Sequence, residues 1–222
     1  KIGVKQKDTQ KTVSGLFGYN EGIIKNYIIN NVSFIANNSG NNNLGIFVGY
    51  NKNKLSNLKL KNPLIPASGT FGYGFEFAEF YDINELGSFS IKGTTLEPRD
   101  GNRLPRIAEY AGGMLNSVGL ENPGVHKVVN EYFPKLKEIY HGKVFANVSG
   151  FSIEQYVECA RLLDKEDIVG IIELNISCPN VHGGGMSFGT DVDSAVSVLR
   201  EVKKVCKKPV YVKCTPQCKD IV

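Results

Sequence analysis

The sequence predicts an α/β chain, with parallel strands separated by helices, behind a short β-rich repeat segment. Three observations carry this. From residue 57 onward, short apolar runs alternate with patterns of helical period. Each apolar run ends in polar residues. Composition also changes near residue 54. Residues 1–53 hold eleven asparagines and only two acidic residues, Asp8 and Glu21, whereas every proline lies at Pro63 or later and every cysteine at Cys159 or later. The 222 residues therefore divide into segments 1–53 and 54–222.

In the first segment, Gly18-Tyr19-Asn20 and Gly49-Tyr50-Asn51 lie 31 residues apart. Between them, Tyr27-Ile28-Ile29 and Val32–Ile35 are β-rich and bounded by Asn and Gly turns. Such spacing predicts short strands stacked as a solenoid, and it resembles the GLUG-type repeats of bacterial surface proteins. The alternative is an Asn-rich linker. Two copies fall short of the roughly three repeats that a solenoid core needs, and no residue here has a recognisable chemistry.

The second segment offers five candidate strands: Leu64–Ala67, Ser88–Lys92, Val144–Val148, Gly170–Asn175 and Val210–Cys214. Ser152 with Gln155 forms a capping-box signal for a helix whose apolar face is Ile153, Tyr156, Val157, Ala160 and Leu163. Asp191 caps a second helix with the face Ala195, Val198, Leu199, Val202 and Val205. Strand, helix, strand at this spacing implies parallel βαβ units. A run as apolar as residues 170–176 suits a sheet covered on both faces. The strand ends carry Ser68-Gly69, Lys92 to Thr95, Asn147, Asn175 to Asn180 and Lys213. In a barrel these converge on one mouth; in an open doubly wound sheet they line a crevice. No GxGxxG follows the first strand, which argues against a dinucleotide-binding unit.

Composition excludes several classes. A net charge of +4 without a Lys/Arg stripe interleaved with aromatics gives no reason to expect nucleic acid. No apolar run approaches the roughly 18–20 residues of a membrane helix. Residues 1–15 are polar, without the apolar centre of a signal peptide, although the chain starts at Lys1 rather than Met. Five scattered cysteines favour reduced thiols in the cytoplasm.

Chemistry concentrates in Asn175-Ile-Ser-Cys178-Pro-Asn180. A cysteine in a polar loop past a strand can act as base or nucleophile; equally, a lone cysteine at a strand end can be a small buried side chain. Gly183-Gly184-Gly185 provides a segment able to close over a ligand. Lys92 and Lys213 either snorkel outward or together form an anion site. Asn116-Ser117-Val118-Gly119-Leu120 follows a Gly-rich stretch and reads as a long loop that brings backbone amides to a ligand. Cys159 and Cys206 read as structural. Cys214 and Cys218 lack the second pair or histidine that a metal site needs, and His126, His141 and His182 are scattered, so no metal is expected.

Read in order, these strings resemble the catalytic subunit of the class 1B dihydroorotate dehydrogenase family. They are residues 62–74 (NPLIPASGTFGYG), 91–99 (IKGTTLEPR), 113–124 (GMLNSVGLENPG), 146–150 (ANVSG) and 173–181 (ELNISCPNV), with residues 188–191 (FGTD) and Val212-Lys213 in addition. The resemblance implies part of a TIM barrel, about five of its eight strands, that binds FMN. It assigns flavin contacts to Ser68, Lys92, Gly93, Asn147, Asn175 and Lys213. Substrate contacts fall to Lys92, Asn116, Ser117, Val118, Gly119, Leu120 and Asn175. Cys178 becomes the base that takes a proton from C5 of dihydroorotate while hydride leaves C6, in the synthesis of pyrimidines. It also implies a partner subunit with FAD and an iron–sulfur cluster that passes electrons to NAD, and a homodimeric core.

Residues 213–218, Lys-Cys-Thr-Pro-Gln-Cys, replace the family's usual Lys-Leu-Ser-Pro-Asn-Val. Five strands cannot close a barrel, and phosphate-binding loops after strands seven and eight lie beyond Val222. The sequence therefore leads to the expectation of weak FMN binding and little turnover by the chain as written. Two other readings stand beside the enzyme: a surface β-repeat binding protein with the barrel remnant as passenger, and a chimera of two unrelated fragments.

Overall fold

The computed structural model describes residues 12–14, 43–45, 58–177, 186–189 and 191–214. Strands are β1 (Thr12–Ser14), β2 (Asn43–Gly45), β3 (Ile107–Tyr110), β4 (Gly113–Asn116), β5 (Val144–Val148), β6 (Val169–Asn175) and β7 (Val210–Lys213). Helices are α1 (Val125–Lys127), α2 (Phe133–Ile139), α3 (Ile153–Asp164), α4 (Met186–Gly189) and α5 (Val192–Val205). A π turn at Val128–Tyr132 makes α1 and α2 one continuous run. The described residues form a mixed α/β structure, as the alternating pattern requires.

Parallel strands β5, β6 and β7 lie side by side in chain order. Two extended segments continue the row before β5. Ser90 and Thr94 bridge Phe145 and Val148 in parallel. The Ser90 N–H in turn donates to Pro66 O at 2.9 Å and the Gly87 N–H to Leu64 O at 3.1 Å. The five candidate strands are thus neighbours in sequence order, but the first two are not regular strands. Pro66 has no N–H to donate, and the Lys92 N–H is diverted to Gly72 O at 2.7 Å, which interrupts the ladder.

The helix caps follow the sequence. Ser152 Oγ accepts from the Gln155 N–H at 3.3 Å. Gln155 Oε1 accepts from the Phe151 N–H at 2.9 Å, one residue before the position a capping box predicts. Asp191 Oδ2 accepts from the Ser194 N–H at 2.8 Å. Pro209 stops the chain after α5, and its carbonyl accepts from the Ile172 N–H at 2.9 Å.

The helical side of the sheet buries Val144, Ala146, Val148, Ile172 and Leu174 against Leu136, Tyr156, Cys159, Leu163, Val198 and Val202. Cys159 is fully buried in this core, and Cys206 caps the C-terminus of α5.

The stretch after Arg106 is not the plain loop that its glycines suggest. β3 and β4 form an antiparallel hairpin around Ala111-Gly112, with Gly112 at φ +96°. The Thr12–Ser14 and Asn43–Gly45 strands pair in parallel, each residue with the one 31 positions on. The candidate strands Tyr27–Ile29 and Val32–Ile35 lie outside the described residues.

Candidate active site

Alternation along β5, β6 and β7 sends every second side chain to the face away from the helices. By register, that face carries Phe145 and Asn147, then Ile171, Glu173 and Asn175, then Tyr211 and Lys213. It is sorted along the strands. At the N-terminal end Phe145, Ile171 and Tyr211 cluster with Leu58, Leu60 and Ile65. At the C-terminal end the residues are polar.

At that polar end Asn147, Glu173 and Asn175 are joined by hydrogen bonds. Asn147 is fully buried and Asn175 nearly so. Asn147 Nδ2 donates to Glu173 Oε2 at 2.9 Å, and the Ser90 hydroxyl donates to the same oxygen. Asn175 Nδ2 donates to Asn147 Oδ1 at 3.2 Å. Asn175 Oδ1 accepts from the Ser177 N–H at 3.2 Å and the Ser177 hydroxyl at 3.0 Å. Lys213 sits opposite Asn175 in the ladder.

Gly93 closes over this layer. A Cβ there would come within 3.0 Å of Asn147 Oδ1 and 3.2 Å of Leu120 Cδ2 and Ser149 Oγ. Ser149 Oγ is buried and has no hydrogen-bond partner among the described residues. Leu120 holds φ +59°, rare for a residue with a Cβ. Asn122 fixes it by donating from Nδ2 to Leu120 O at 2.7 Å, while Asn122 Oδ1 accepts from the Thr95 N–H at 3.1 Å.

The sequence-selected residues thus separate. Gly93, Leu120, Asn147, Asn175 and Lys213 gather at one end of the sheet. Lys92 is half-buried next to Gly93, and Ser68 is half-buried in the turn after Pro66. Asn116 and Ser117 are exposed at the end of β4. The Ser117 N–H donates to Arg106 O at 2.8 Å, and Ser117 O accepts from Asn102 Nδ2 at 2.8 Å. Val118 O accepts from the Asn102 N–H at 2.9 Å, and Gly119 is buried beside the same asparagine at φ +76°. Cys178 lies outside the described residues, as do His182, Gly183 to Gly185 and Cys218.

Burial disfavours the thiolate of two other cysteines. Burial pushes the Cys206 thiol up to about 12, and complete burial raises the Cys159 thiol well above its ordinary value. Among the described residues no group of three or more His, Cys, Asp or Glu could hold a metal ion, and no helix is long and apolar enough to cross a membrane.

Sequence reasoning missed Glu173, Ser149, Asn122 and the Tyr156 hydroxyl. For Glu173 a signal existed: a single acidic residue inside an apolar strand, two positions from Asn175 and therefore on its face.

The family model for dihydroorotate dehydrogenase matches residues 50–222. The chain belongs to the dihydroorotate dehydrogenase family. Three curated relatives carry the name dihydroorotate dehydrogenase B (NAD(+)), catalytic subunit. The chain is 51% identical to the one from Bacillus caldolyticus, over 76% of this chain and 54% of that protein. It is 49% identical to the one from Halalkalibacterium halodurans, over 76% of this chain and 55% of that protein, and 50% identical to the one from Bacillus cytotoxicus, over 76% and 54%. The chain spans about half the length of the curated relatives it matches. The dihydroorotate dehydrogenase family implies a TIM-barrel fold, in which the C-terminal ends of the strands carry the active site. The polar end of this sheet face is that end.

Proposed function

We propose that the protein oxidises dihydroorotate to orotate in pyrimidine (UMP) biosynthesis, with FMN as its cofactor. The observation that carries this reading is the polar layer at the C-terminal strand ends, Asn147–Glu173–Asn175–Lys213 beneath Gly93. Residues 54–222 are read as part of an FMN-binding barrel, an arc of about five strands. The sequence-order row of parallel neighbours supports an arc, because an open doubly wound sheet reverses its strand order.

The residues present fit FMN. The unpartnered Ser149 hydroxyl is a buried polar atom that a ligand would satisfy. Asparagine amides match the donor and acceptor edges of the flavin ring, and Lys92 and Lys213 supply positive charge. When bound, FMN supplies the hydride acceptor. Ser68, Lys92, Gly93, Asn147, Asn175 and Lys213 would hold it. Lys92 with Asn116, Ser117, Val118, Gly119, Leu120 and Asn175 would hold the substrate, Lys92 favouring its carboxylate. Cys178 would take the C5 proton of dihydroorotate as general base.

The relatives' name "catalytic subunit" supports a separate partner subunit, read here as the iron–sulfur and FAD protein that links to NAD. A homodimeric core is part of the same reading. Cys159 and Cys206 are free thiols, in keeping with a cytoplasmic protein.

The test is anaerobic addition of dihydroorotate to the FMN-loaded protein extended to the length of its curated relatives. Loss of the yellow flavin colour with formation of orotate is the expected result; retained colour would refute the reading. Cys178→Ser should then slow flavin reduction by about 10²-fold or more while FMN stays bound. Unchanged kinetics would remove Cys178 from the base role.

One observation favours a repeat reading for residues 1–53. The parallel register between Thr12–Ser14 and Asn43–Gly45 has the same 31-residue offset as the two Gly-Tyr-Asn triplets. Stacked coils of a surface β-repeat require that coincidence. A Val13→Cys, Leu44→Cys pair should form a disulfide under mild oxidation, and failure to do so argues for a linker.

A further inference from the structure

One member of the polar layer is given no contact to flavin or substrate in the reading above. Glu173 lies on β6, opposite Asn147 of β5 and two residues before Asn175. Its Oε2 accepts from the Ser90 hydroxyl and from Asn147 Nδ2. An asparagine side chain has a donor end and an acceptor end of nearly the same shape, so only its neighbours decide which way it faces. Here the decision propagates. With its NH2 group turned to Glu173, Asn147 presents Oδ1 to Asn175. Asn175 must then offer its own NH2 group to Asn147, which turns Asn175 Oδ1 toward Ser177. Ser177 immediately precedes Cys178 in the chain. The acceptor Glu173 at one end and the donating Ser177 N–H at the other thus impose the same polarity on a chain that runs from Ser90 across β5 and β6 to the residue before the proposed base.

We propose that Glu173 is a positioning residue: it fixes the amide orientation of Asn147 and Asn175, and with it the edges these residues present to the bound flavin. The proposal rests on the FMN reading. It differs from a plain structural strut because it predicts that amide orientation and flavin affinity change together.

Side-chain amide NMR and FMN titration on the full chain test it, with Glu173→Leu and Glu173→Gln as near-isosteric variants. In the wild type the NH2 protons of both asparagines should exchange slowly. Glu173→Leu removes the acceptor. It should expose the Asn147 and Asn175 NH2 protons to fast exchange and weaken FMN binding roughly tenfold or more. Glu173→Gln, with its oxygen turned to Ser90 and Asn147, should keep slow exchange and bind FMN within about threefold of wild type.

Glu173→Leu with wild-type exchange and wild-type affinity overturns the proposal. So does fast exchange with unchanged affinity. Should Glu173→Leu fail to fold, Glu173→Gln decides: slow exchange and FMN affinity both retained supports the proposal, and loss of either overturns it. A wild-type protein of the relatives' length that takes up no FMN refutes the functional reading instead, while the exchange measurement still reports whether Glu173 orients the two amides.

Discussion

The buried Tyr156 hydroxyl on α3 donates a hydrogen bond to the main-chain oxygen of Asn175 at 2.7 Å. A helix thereby fixes the end of the strand that carries the candidate site. Tyr156 is fully buried, and its ring also meets Phe188 edge-on at 5.8 Å. Tyr156→Phe keeps the ring and removes the donor. It should cost about 1–3 kcal/mol in urea unfolding and weaken FMN binding. A variant as stable as wild type would show that the bond has no net value.

Gly93→Ala tests how tightly the site is closed. The added methyl would meet Asn147 Oδ1 at 3.0 Å and both Leu120 Cδ2 and Ser149 Oγ at 3.2 Å. Of these atoms Asn147 Oδ1 is held by its bond from Asn175 and cannot yield freely. The expected loss is about 1–3 kcal/mol, with a larger fractional loss of FMN affinity than of stability. Unchanged thermal melting and unchanged FMN titration would show that the strand end can shift.

Asp164 ties the end of α3 to the turn that leads into β7. Its Oδ1 accepts from the Lys208 N–H at 2.9 Å and the Lys207 N–H at 3.1 Å, and its main-chain oxygen accepts from the Lys208 ammonium group. Asp164→Ala strands two main-chain donors and should lower stability by roughly 2–4 kcal/mol. Because β7 carries Lys213, FMN affinity should fall too. Denaturant titration of the two proteins checks the first, and fluorescence titration the second.

Acid should loosen α5. The Ser194 hydroxyl and main-chain N–H hold the Asp191 carboxyl below its ordinary value of 3.8. A carboxylate lowered in the folded state stabilises fully above its unfolded value, and that contribution is lost as pH falls through the lower, folded one. Helicity should therefore hold down to about pH 4 and decline below it. Asp191→Asn, which caps without charge, should flatten that part of the circular-dichroism titration. An identical acid profile in the variant would remove Asp191 from the effect.

The candidate site was legible to different degrees along the chain. Gly93, Asn147 and Asn175 were found because polar residues directly after apolar runs need no tertiary information. Asn116 and Ser117 were placed in a ligand loop, but the Ile107–Asn116 hairpin holds them at an exposed strand end. The turn signal was Gly112 between two short β-forming runs. The first two strands were found as segments and misjudged as ladders, since Pro66 lacks a donor and the Lys92 N–H is engaged elsewhere.

The sequence by itself determined the order β5, α3, β6, α5, β7, the caps at Ser152 and Asp191, the core face of α3 and the family. All of these are local patterns, written in the period of hydrophobic residues, in side chains within three positions of each other, or in contiguous motifs. Only the tertiary structure decided that Glu173 bonds both Ser90 and Asn147, that Asn122 bonds Thr95, and that Tyr156 reaches Asn175. Glu173 meets Ser90 across 83 residues of chain and Asn147 across 26, and Tyr156 meets Asn175 across 19. Hydrogen bonds over such separations depend on which strands become neighbours, and no local pattern encodes that.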